Sequence, residues 1–444
     1  MICGSAAKAI GIDRLLAFIA EEFPSPIDRG AVTVTSKTGE ERERDSDPAA
    51  PLAAFVFKTV SDPFVGHITM FRVFSGRLRP DSSVFNATQH TEERIGQLFS
   101  LRGKEHENVS EVAAGDIGAV AKLQHTHTGD TLSTKDDPVQ LPPIELPEPL
   151  LAYAVEPKTK GDEDKLSTGL ARLREEDPTL RVARSDETHE TVMYGMGEAH
   201  LEVQMERLKR KFGVEVATHP AKIAYRETIK TKGKGVGRHV KQTGGHGQYA
   251  VCTIEIEPLP HGEGFVYDNK IFGGAIPSQF IPSIEKGIVK TMSDGVVSGN
   301  PMVDIKVTLL DGKFHPVDSS DMAFQIAGSL ALKEAVEAAG VVLLEPVVDL
   351  EVIVPDAYTG DIMGDLNSKR GKIGGMEQIA GGKQRIHAVV PQAEVARYVI
   401  DLRSMTGGRG AFSMTLSHYE ELPTHLAQKV IAEHQKAREE AQKK

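Results

Sequence analysis

The sequence contains no tryptophan, only two cysteines and no long apolar segment, and each absence excludes a class of protein. Cys3 and Cys252 are too few for a disulfide framework or a cysteine-rich metal site. No secretory signal and no run of about 18 apolar residues is present, so neither export nor a membrane span is expected. Aromatic residues form 5% of the chain, which argues against a nucleic-acid surface built mainly from base stacking. A cytoplasmic protein is therefore predicted.

Motifs that bind nucleotide phosphates are also missing. The phosphate-binding loop ends in Gly-Lys followed by Ser or Thr, whose hydroxyl group binds Mg²⁺. Asn269-Lys270 lacks the Asp two residues later that would read guanine, and His125-Thr126-His127 lacks a third zinc ligand nearby. No catalytic residue, nucleotide site or metal site is therefore predicted within the chain. The Gly-Lys pairs without a following Ser or Thr are Gly103-Lys104, Gly233-Lys234, Gly312-Lys313, Gly371-Lys372 and Gly382-Lys383.

Positive charge is concentrated in one stretch of an acidic chain. The formal net charge of −11 argues against nonspecific binding to nucleic acid. Residues 228–254, however, contain no Asp or Glu. Because phosphate affinity depends on where charge lies, both a basic RNA-facing surface and an ordinary solvated strand are compatible with this stretch. Its basic residues are Lys230, Lys232, Lys234, Arg238 and Lys241.

Two loops organise the region between residues 228 and 340. The first, GGHGQYA, is followed by alternating apolar residues that predict a strand. The second, GKFHPVDSSDMAF, follows another alternating segment at residues 301–310. We therefore expect a mixed sheet whose loops carry His246 and His315.

Helices are expected to back this sheet. Residues 277–292 place apolar side chains on one helical face. A second helix is predicted to start at the cap residues Asp318, Ser319 and Ser320 and to end at Gly340.

The remaining chain divides by composition and periodicity. Residues 31–50 are charged and poor in apolar side chains, which predicts a mobile insertion or linker. Short strands separated by turn residues between 51 and 146 predict a small antiparallel barrel. Residues 147–222 and 344–420 each show the order β-α-β-β-α-β, which is typical of a ferredoxin-like fold, and residues 421–444 form an amphipathic helix.

Three motifs in the central region closely resemble domain IV of bacterial elongation factor G. Other segments resemble further domains of the same family: PFVGHITMFRVFSG and AGDIGAV domain II, EEDPTLR and GMGEAHLEV domain III, and LNSKRG and GGRG domain V. Pro316 stands where the family usually has an acidic residue, and His246 also departs from the usual pattern. The central motifs are Gly244-Gly245-His246-Gly247-Gln248-Tyr249, Gly273-Gly274-Ala275-Ile276-Pro277 and His315-Pro316-Val317-Asp318-Ser319-Ser320.

The resemblance implies a multidomain α+β fold. Its expected parts are a translation-factor β-barrel, a ferredoxin-like domain, a ribosomal S5 domain 2-like α/β domain and a second ferredoxin-like domain. The implied boundaries are 1–30 for the end of a GTPase domain, 31–50 for a linker, 51–146 for domain II, 147–222 for domain III, 223–343 for domain IV with tip loops 243–249 and 311–320, 344–420 for domain V, and 421–444 for a helix that packs back on domain IV.

The resemblance also implies a function. The family binds the ribosome and supports GTP-dependent translocation of tRNA and mRNA, with rRNA, tRNA and mRNA at the decoding centre as partners. GTP and Mg²⁺ would belong to the GTPase domain, most of which is not expected in this chain, and a monomer is expected. The alternative is an elongation factor G-like paralogue that acts in ribosome protection, recycling or translational regulation without translocation. The implied tip contacts are Gly244, Gly245, His246, Gly247, Gln248, His315, Pro316 and Asp318.

The tip residues allow two further interpretations. The glycines have main-chain N–H groups that can approach a phosphate closely, but they are equally compatible with a tight hairpin. His315, Asp318 and Ser319 or Ser320 are the residue types of a hydrolase triad. No GxSxG motif is present, so a helix cap explains Asp318 and the serines better.

Overall fold

The computed structural model describes residues 3–62, 66–103, 105–241 and 247–442. The chain forms two compact units. The first comprises Met1–Pro149, Glu156–Val182 and Tyr194–Ala217, and the second comprises Leu150–Val155, Ala183–Met193 and Thr218–Lys444. Within the described ranges, no helix is long and apolar enough to cross a membrane.

The segment expected to be a linker, residues 31–50, instead contains a β-hairpin. After helix α1 (Ile12–Glu22), strands β1 (Val32–Ser36) and β2 (Glu41–Arg44) pair antiparallel, and β1 also pairs with β13 (Val139–Gln140). Val34 is buried in a cluster that includes Phe55 and Leu141. The linker prediction is wrong here because a few alternating apolar residues are sufficient to hold a short hairpin against a neighbouring core.

The strands predicted to form a barrel make one eight-stranded antiparallel sheet with the order β7-β6-β12-β3-β4-β11-β8-β9, and β5 pairs with β10. Leu78, Ile95, Leu98 and Leu132 are among the fully buried residues of its core. The strands are β3 (Ala53–Asp62), β4 (Gly66–Ser75), β5 (Arg77–Leu78), β6 (Ser83–Asn86), β7 (Thr91–Arg94), β8 (Leu98–Arg102), β9 (Glu105–Asn108), β10 (Val112–Ala113), β11 (Ile117–Ala121) and β12 (Thr131–Ser133).

The next region has the predicted order β-α-β-β-α-β. Its four-stranded sheet has the strand order β15-β16-β14-β17. Helix α3 ends at Gly213, whose φ of 68° is left-handed and therefore suits glycine. The elements are β14 (Leu151–Pro157), α2 (Glu163–Glu176), β15 (Arg181–Arg184), β16 (Thr191–Gly195), α3 (Glu198–Phe212) and β17 (Val216–Pro220).

The region expected to hold the site forms a four-stranded sheet with the order β19-β20-β22-β21, in which β21 and β22 run parallel. Its strand β22 begins at Ile305 and not at residue 301, because Asp304 adopts a left-handed φ of 58° and its carboxylate accepts the N–H groups of Gly262 and Gly264. The elements are β18 (Arg226–Ile229), β19 (Gly233–Lys241), β20 (Gln248–Pro258), β21 (Phe265–Asn269), α4 (Ile281–Asp294), β22 (Ile305–Lys313) and α5 (Asp321–Ala339).

Helix α5 lies unusually close to β19. Gly233, Gly235 and Gly237 alternate along the buried face of the strand and face the helix main chain. An added Cβ atom at Gly237 would lie 1.8 Å from the carbonyl oxygen of Ala327. The strand therefore needs glycine on this face, and the opposite face of the sheet stays open.

The last region again has the order β-α-β-β-α-β, followed by a C-terminal helix. Its sheet has the order β18-β23-β25-β24, and β26 also pairs with β23. The C-terminal helix contacts the loop at residues 295–300, where an added Cβ at Gly299 would lie 2.0 Å from the His434 ring. The predicted multidomain α+β class is confirmed. The elements are β23 (Val341–Pro355), α6 (Thr359–Ser368), β24 (Lys372–Ile379), β25 (Lys383–Pro391), α7 (Gln392–Val395), α8 (Tyr398–Thr406), β26 (Ala411–Glu421) and α9 (Thr424–Gln442).

Candidate functional site

Three loops meet at one end of the sheet formed by β19, β20, β22 and β21. Lys241 at the end of β19 pairs with Gln248 at the start of β20, and Lys313 at the end of β22 pairs with Val251. Because β21 runs parallel to β22, the segment after Asn269 leaves from the same end. We call this end the tip and define it as residues 241, 247–249, 270–277 and 311–322.

Asp318 joins two of the loops. Its Oδ1 accepts the main-chain N–H of Gly247 at 3.0 Å, and its carbonyl oxygen accepts the N–H of Tyr249 at 2.9 Å. An added Cβ at Gly247 would lie 3.0 Å from the Asp318 carboxyl carbon, so the approach is tight. In this structure the Gly247 N–H is therefore used within the protein, and contact of the loop's N–H groups with phosphate stays a prediction.

Ser319 and Ser320, beside Asp318, make different hydrogen bonds. Ser320 is the N-cap of α5 and accepts the N–H of Ala323 at 3.2 Å. The Ser319 hydroxyl donates to the Tyr249 carbonyl at 2.6 Å and accepts the main-chain N–H of His315 at 2.9 Å. The prediction that Asp318, Ser319 and Ser320 all cap helix α5 is thus confirmed only for Ser320. Because the Ser319 hydroxyl is bonded to main-chain groups, the structure gives no support to a hydrolase triad.

His315 stands at the apex of its loop, with 49% of its side chain exposed. Its Nδ1 accepts the main-chain N–H groups of Val317 at 3.3 Å and Asp318 at 3.2 Å. The same Nδ1 also lies 3.2 Å from Oδ2 of Asp318. Pro316 is exposed and restricts the preceding residue to extended conformations. The loop thus holds the imidazole in place by its own main chain.

The other predicted tip residues are only partly described. Gln248 is exposed, and its amide oxygen lies 2.7 Å from Nε2 of the buried His239. His239 belongs to none of the sequence motifs, and it follows Arg238 on the opposite face of β19. Gly244, Gly245 and His246 lie outside the described residues.

The five predicted basic residues do not form one surface. Lys230 pairs with Glu421 at 2.7 Å and Lys232 with Glu257 at 2.6 Å, both at the end of the sheet away from the tip. Lys234 and Arg238 are exposed on the open face of β19, and Lys241 alone belongs to the tip. Lys230 and Lys232 are thus each paired with a carboxylate, and an RNA-facing role for the five residues stays a prediction.

Across the described ranges, no group of three or more His, Cys, Asp or Glu side chains is arranged to hold a metal ion. The chemistry available at the tip is therefore that of hydrogen-bond donors and acceptors, lysine charges and exposed rings.

Almost the whole chain matches known proteins. Family models of elongation factor G match domain 2 at residues 51–135, domain III at 146–220, domain IV at 221–340 and the C-terminus at 342–430. A crystal structure of a protein from Thermus thermophilus is similar, with a TM-score of 0.76 and 39% sequence identity. That match covers 97% of this chain and 62% of the other, so this chain spans less than two thirds of its relative.

Proposed function

Because this chain belongs to the elongation factor G family, we propose that it binds the ribosome and directs its tip at tRNA and mRNA in the decoding centre. The proposal rests on the hydrogen bonds that join the two tip loops. Asp318 and Ser319 connect them, and His315 projects from the resulting surface. A surface fixed before binding loses little conformational entropy when it contacts RNA.

In this proposal the chain supports translocation, and rRNA lies along its contact surface. GTP and Mg²⁺ are assigned to a GTPase domain and not to the residues of this chain, since the phosphate-binding and guanine-reading motifs are missing from its sequence. The exposed His315 would act by contact, because an imidazole N–H can donate to a phosphate or a 2′-hydroxyl group and its ring can stack on a base.

The location of the tip can be tested with a tethered cleavage reagent. We expect Fe(II)-EDTA attached to a cysteine at position 317, in the Cys3→Ser Val317→Cys protein, to cleave small-subunit rRNA and tRNA at the decoding centre. Val317 is exposed beside His315, so the change leaves the fold intact. Cysteine at position 232, at the far end of the sheet, is the matched control. Equal cleavage from both positions, or none from position 317 while the protein pellets with ribosomes, contradicts the proposal.

The contribution of His315 to movement of tRNA can be measured separately. In a form that carries a GTPase domain of the family, His315→Ala is expected to slow translocation in a single-turnover assay and to leave ribosome-stimulated GTP hydrolysis unchanged. Removal of an exposed side chain usually alters stability by no more than about 0.5 kcal/mol. His261→Ala makes the same chemical change at an exposed position at the other end of the sheet and serves as the control. A normal translocation rate, or a large fall in melting temperature, contradicts a contact role.

A further inference from the structure

A cavity of about 280 Å³ is lined by residues of the β1–β2 hairpin, the turn before it and strand β4. Three of its lining residues are arginines from separate segments: Arg29 lies in the turn before β1, Arg44 ends β2, and Arg72 lies on β4. The volume is just below the range of about 300–1,000 Å³ that is usual for small-molecule pockets. The cavity therefore has room for a small ion or a small organic molecule.

Strand pairing brings two of these arginines to the same hydrophobic cluster. Arg44 is opposite Val32 in the hairpin, and Arg72 is two residues before Phe74 on β4. Opposite residues of an antiparallel pair share a face of the sheet, as do residues two apart on one strand. Val32 and Phe74 both pack against the buried cluster that contains Val34. Both arginines thus lie on the faces that meet at this cluster.

The positive charge of the cavity is only partly balanced. Arg44 forms an ion pair with Asp137, and 14% of its side chain is exposed. Within the described ranges, no carboxylate oxygen lies within 4.0 Å of a guanidinium nitrogen of Arg29 or Arg72. Among the described residues that line the cavity, none is Asp or Glu. Two of the three guanidinium groups therefore have no carboxylate partner.

The neighbouring acidic side chain of Asp28 is used elsewhere. Its Oδ2 accepts the main-chain N–H of Ser25 at 2.9 Å and the Ser25 hydroxyl at 2.7 Å. These bonds fold the segment before β1 into a turn, which also contains the bond from the Arg29 N–H to the Ser25 carbonyl at 3.2 Å. The carboxylate next to Arg29 in sequence thus shapes the loop and does not pair with that arginine.

The arginines are held in place by their surroundings. The guanidinium carbon of Arg72 lies 5.0 Å from the centre of the Phe74 ring, which is within the range of a cation–π contact. The turn that carries Arg29 packs against the sheet, because an added Cβ at Gly115 would lie 2.8 Å from Cγ of Pro26. Gly115 also has a left-handed φ of 95°, so glycine is needed there for both reasons. The cavity is therefore built before any ligand binds.

We propose that this cavity binds a phosphate dianion, as inorganic phosphate or as the phosphate monoester of a small molecule. The planar guanidinium group donates two parallel N–H bonds to phosphate oxygens. Two guanidinium groups without carboxylate partners match the charge of about −1.5 to −2 that a phosphate monoester carries at pH 7. A carboxylate or a phosphodiester carries a single charge and would leave one arginine unbalanced. All of these residues belong to the first compact unit, so the site is separate from the tip.

Chemical modification of the whole chain can locate the site. Phenylglyoxal modifies accessible arginine side chains, and peptide mass spectrometry measures the rate at each one. Inorganic phosphate at about ten times its Kd, at constant ionic strength, is expected to slow modification of Arg29 and Arg72 roughly tenfold, because most sites are then occupied. Arg94 is exposed on β7 and does not line the cavity, so its rate should not change.

Substitutions measure the contribution of each arginine. Arg29→Gln and Arg72→Gln are each expected to weaken phosphate binding about tenfold in titration calorimetry, the loss expected for one charge-assisted hydrogen bond. Arg94→Gln removes the same charge outside the cavity and should bind as the parent chain does. Because Arg29 is exposed, Arg29→Gln should retain the parent melting temperature, and it decides the question even if Arg72→Gln unfolds.

Two further ligands define what the cavity accepts. Tighter binding of glycerol 3-phosphate than of inorganic phosphate assigns the cavity to a monoester, and weaker binding assigns it to inorganic phosphate. Dimethyl phosphate carries the single charge of a nucleic-acid backbone. Equal protection by dimethyl phosphate and inorganic phosphate overturns the proposal, because the cavity would then accept phosphodiesters. Absence of protection by either phosphate dianion, or equal protection of Arg94, overturns it as well.

Discussion

Replacing Gly237 by alanine is expected to destabilise the sheet that carries the tip by about 3 kcal/mol, the upper range for overpacking a buried site. The added Cβ would lie 1.8 Å from the carbonyl oxygen of Ala327 and 2.7 Å from the main-chain nitrogen of Ala331. Both are helix main-chain atoms, so no side chain can rotate away. Either α5 must move or β19 must bend. Because α5 begins directly after the His315 loop, such movement would also separate the tip loops.

Hydrogen exchange with mass spectrometry can measure this effect region by region, which a single melting curve of a multidomain chain cannot do. Peptides from β19, β20 and α5 should lose protection in Gly237→Ala, while peptides from α2 should exchange as in the parent chain. Val236→Ala, which changes the neighbouring residue on the open face, is the control. Unchanged protection in β19 and α5 would show that the close approach is not required.

The same glycines show what sequence patterns reveal about a fold. Alternation of residue types predicts a strand, but it does not say which face is covered. Gly233, Gly235 and Gly237 have no side chain to indicate burial, so their role becomes clear only when the alanines of α5 are placed against them. By contrast, the element order of both β-α-β-β-α-β regions depends on local periodicity, and it is predicted correctly.

Whether a lysine is paired with a carboxylate depends on residues that are distant in sequence. Lys230 and Glu421 are 191 residues apart in sequence and form an ion pair across two strands. No local pattern indicates that this lysine is paired with a carboxylate. The hydrogen bond between Gly247 and Asp318 likewise joins residues that are 71 positions apart in sequence. The motifs therefore located the tip loops, whereas the donors and charges available there required the tertiary structure. The roles of the tip residues in binding remain predictions.

The second large effect is expected at Glu227, a fully buried carboxylate on β18. It accepts the main-chain N–H groups of Val296 at 2.8 Å, Val297 at 3.0 Å and Ser298 at 2.5 Å. The Ser298 hydroxyl donates to it as well, at 2.8 Å. One side chain thus organises the loop at residues 295–300, against which His434 of α9 packs.

Glu227→Gln is expected to destabilise this region by about 3 kcal/mol, because the amide nitrogen of glutamine would face N–H donors and leave at least one of them buried without an acceptor. Glu227→Asp keeps the charge but shortens the side chain, so some of the N–H donors should keep an acceptor and the loss of stability should be smaller.

Glu263→Gln, at an exposed position, makes the same chemical change and serves as the control. Hydrogen exchange should increase in residues 295–300 and in α9 of Glu227→Gln and stay unchanged in the control. Equal exchange in the two proteins would show that the carboxylate does not hold the loop, and that the main-chain bonds between Glu227 and the segment at Pro301 and Val303 are sufficient to position it.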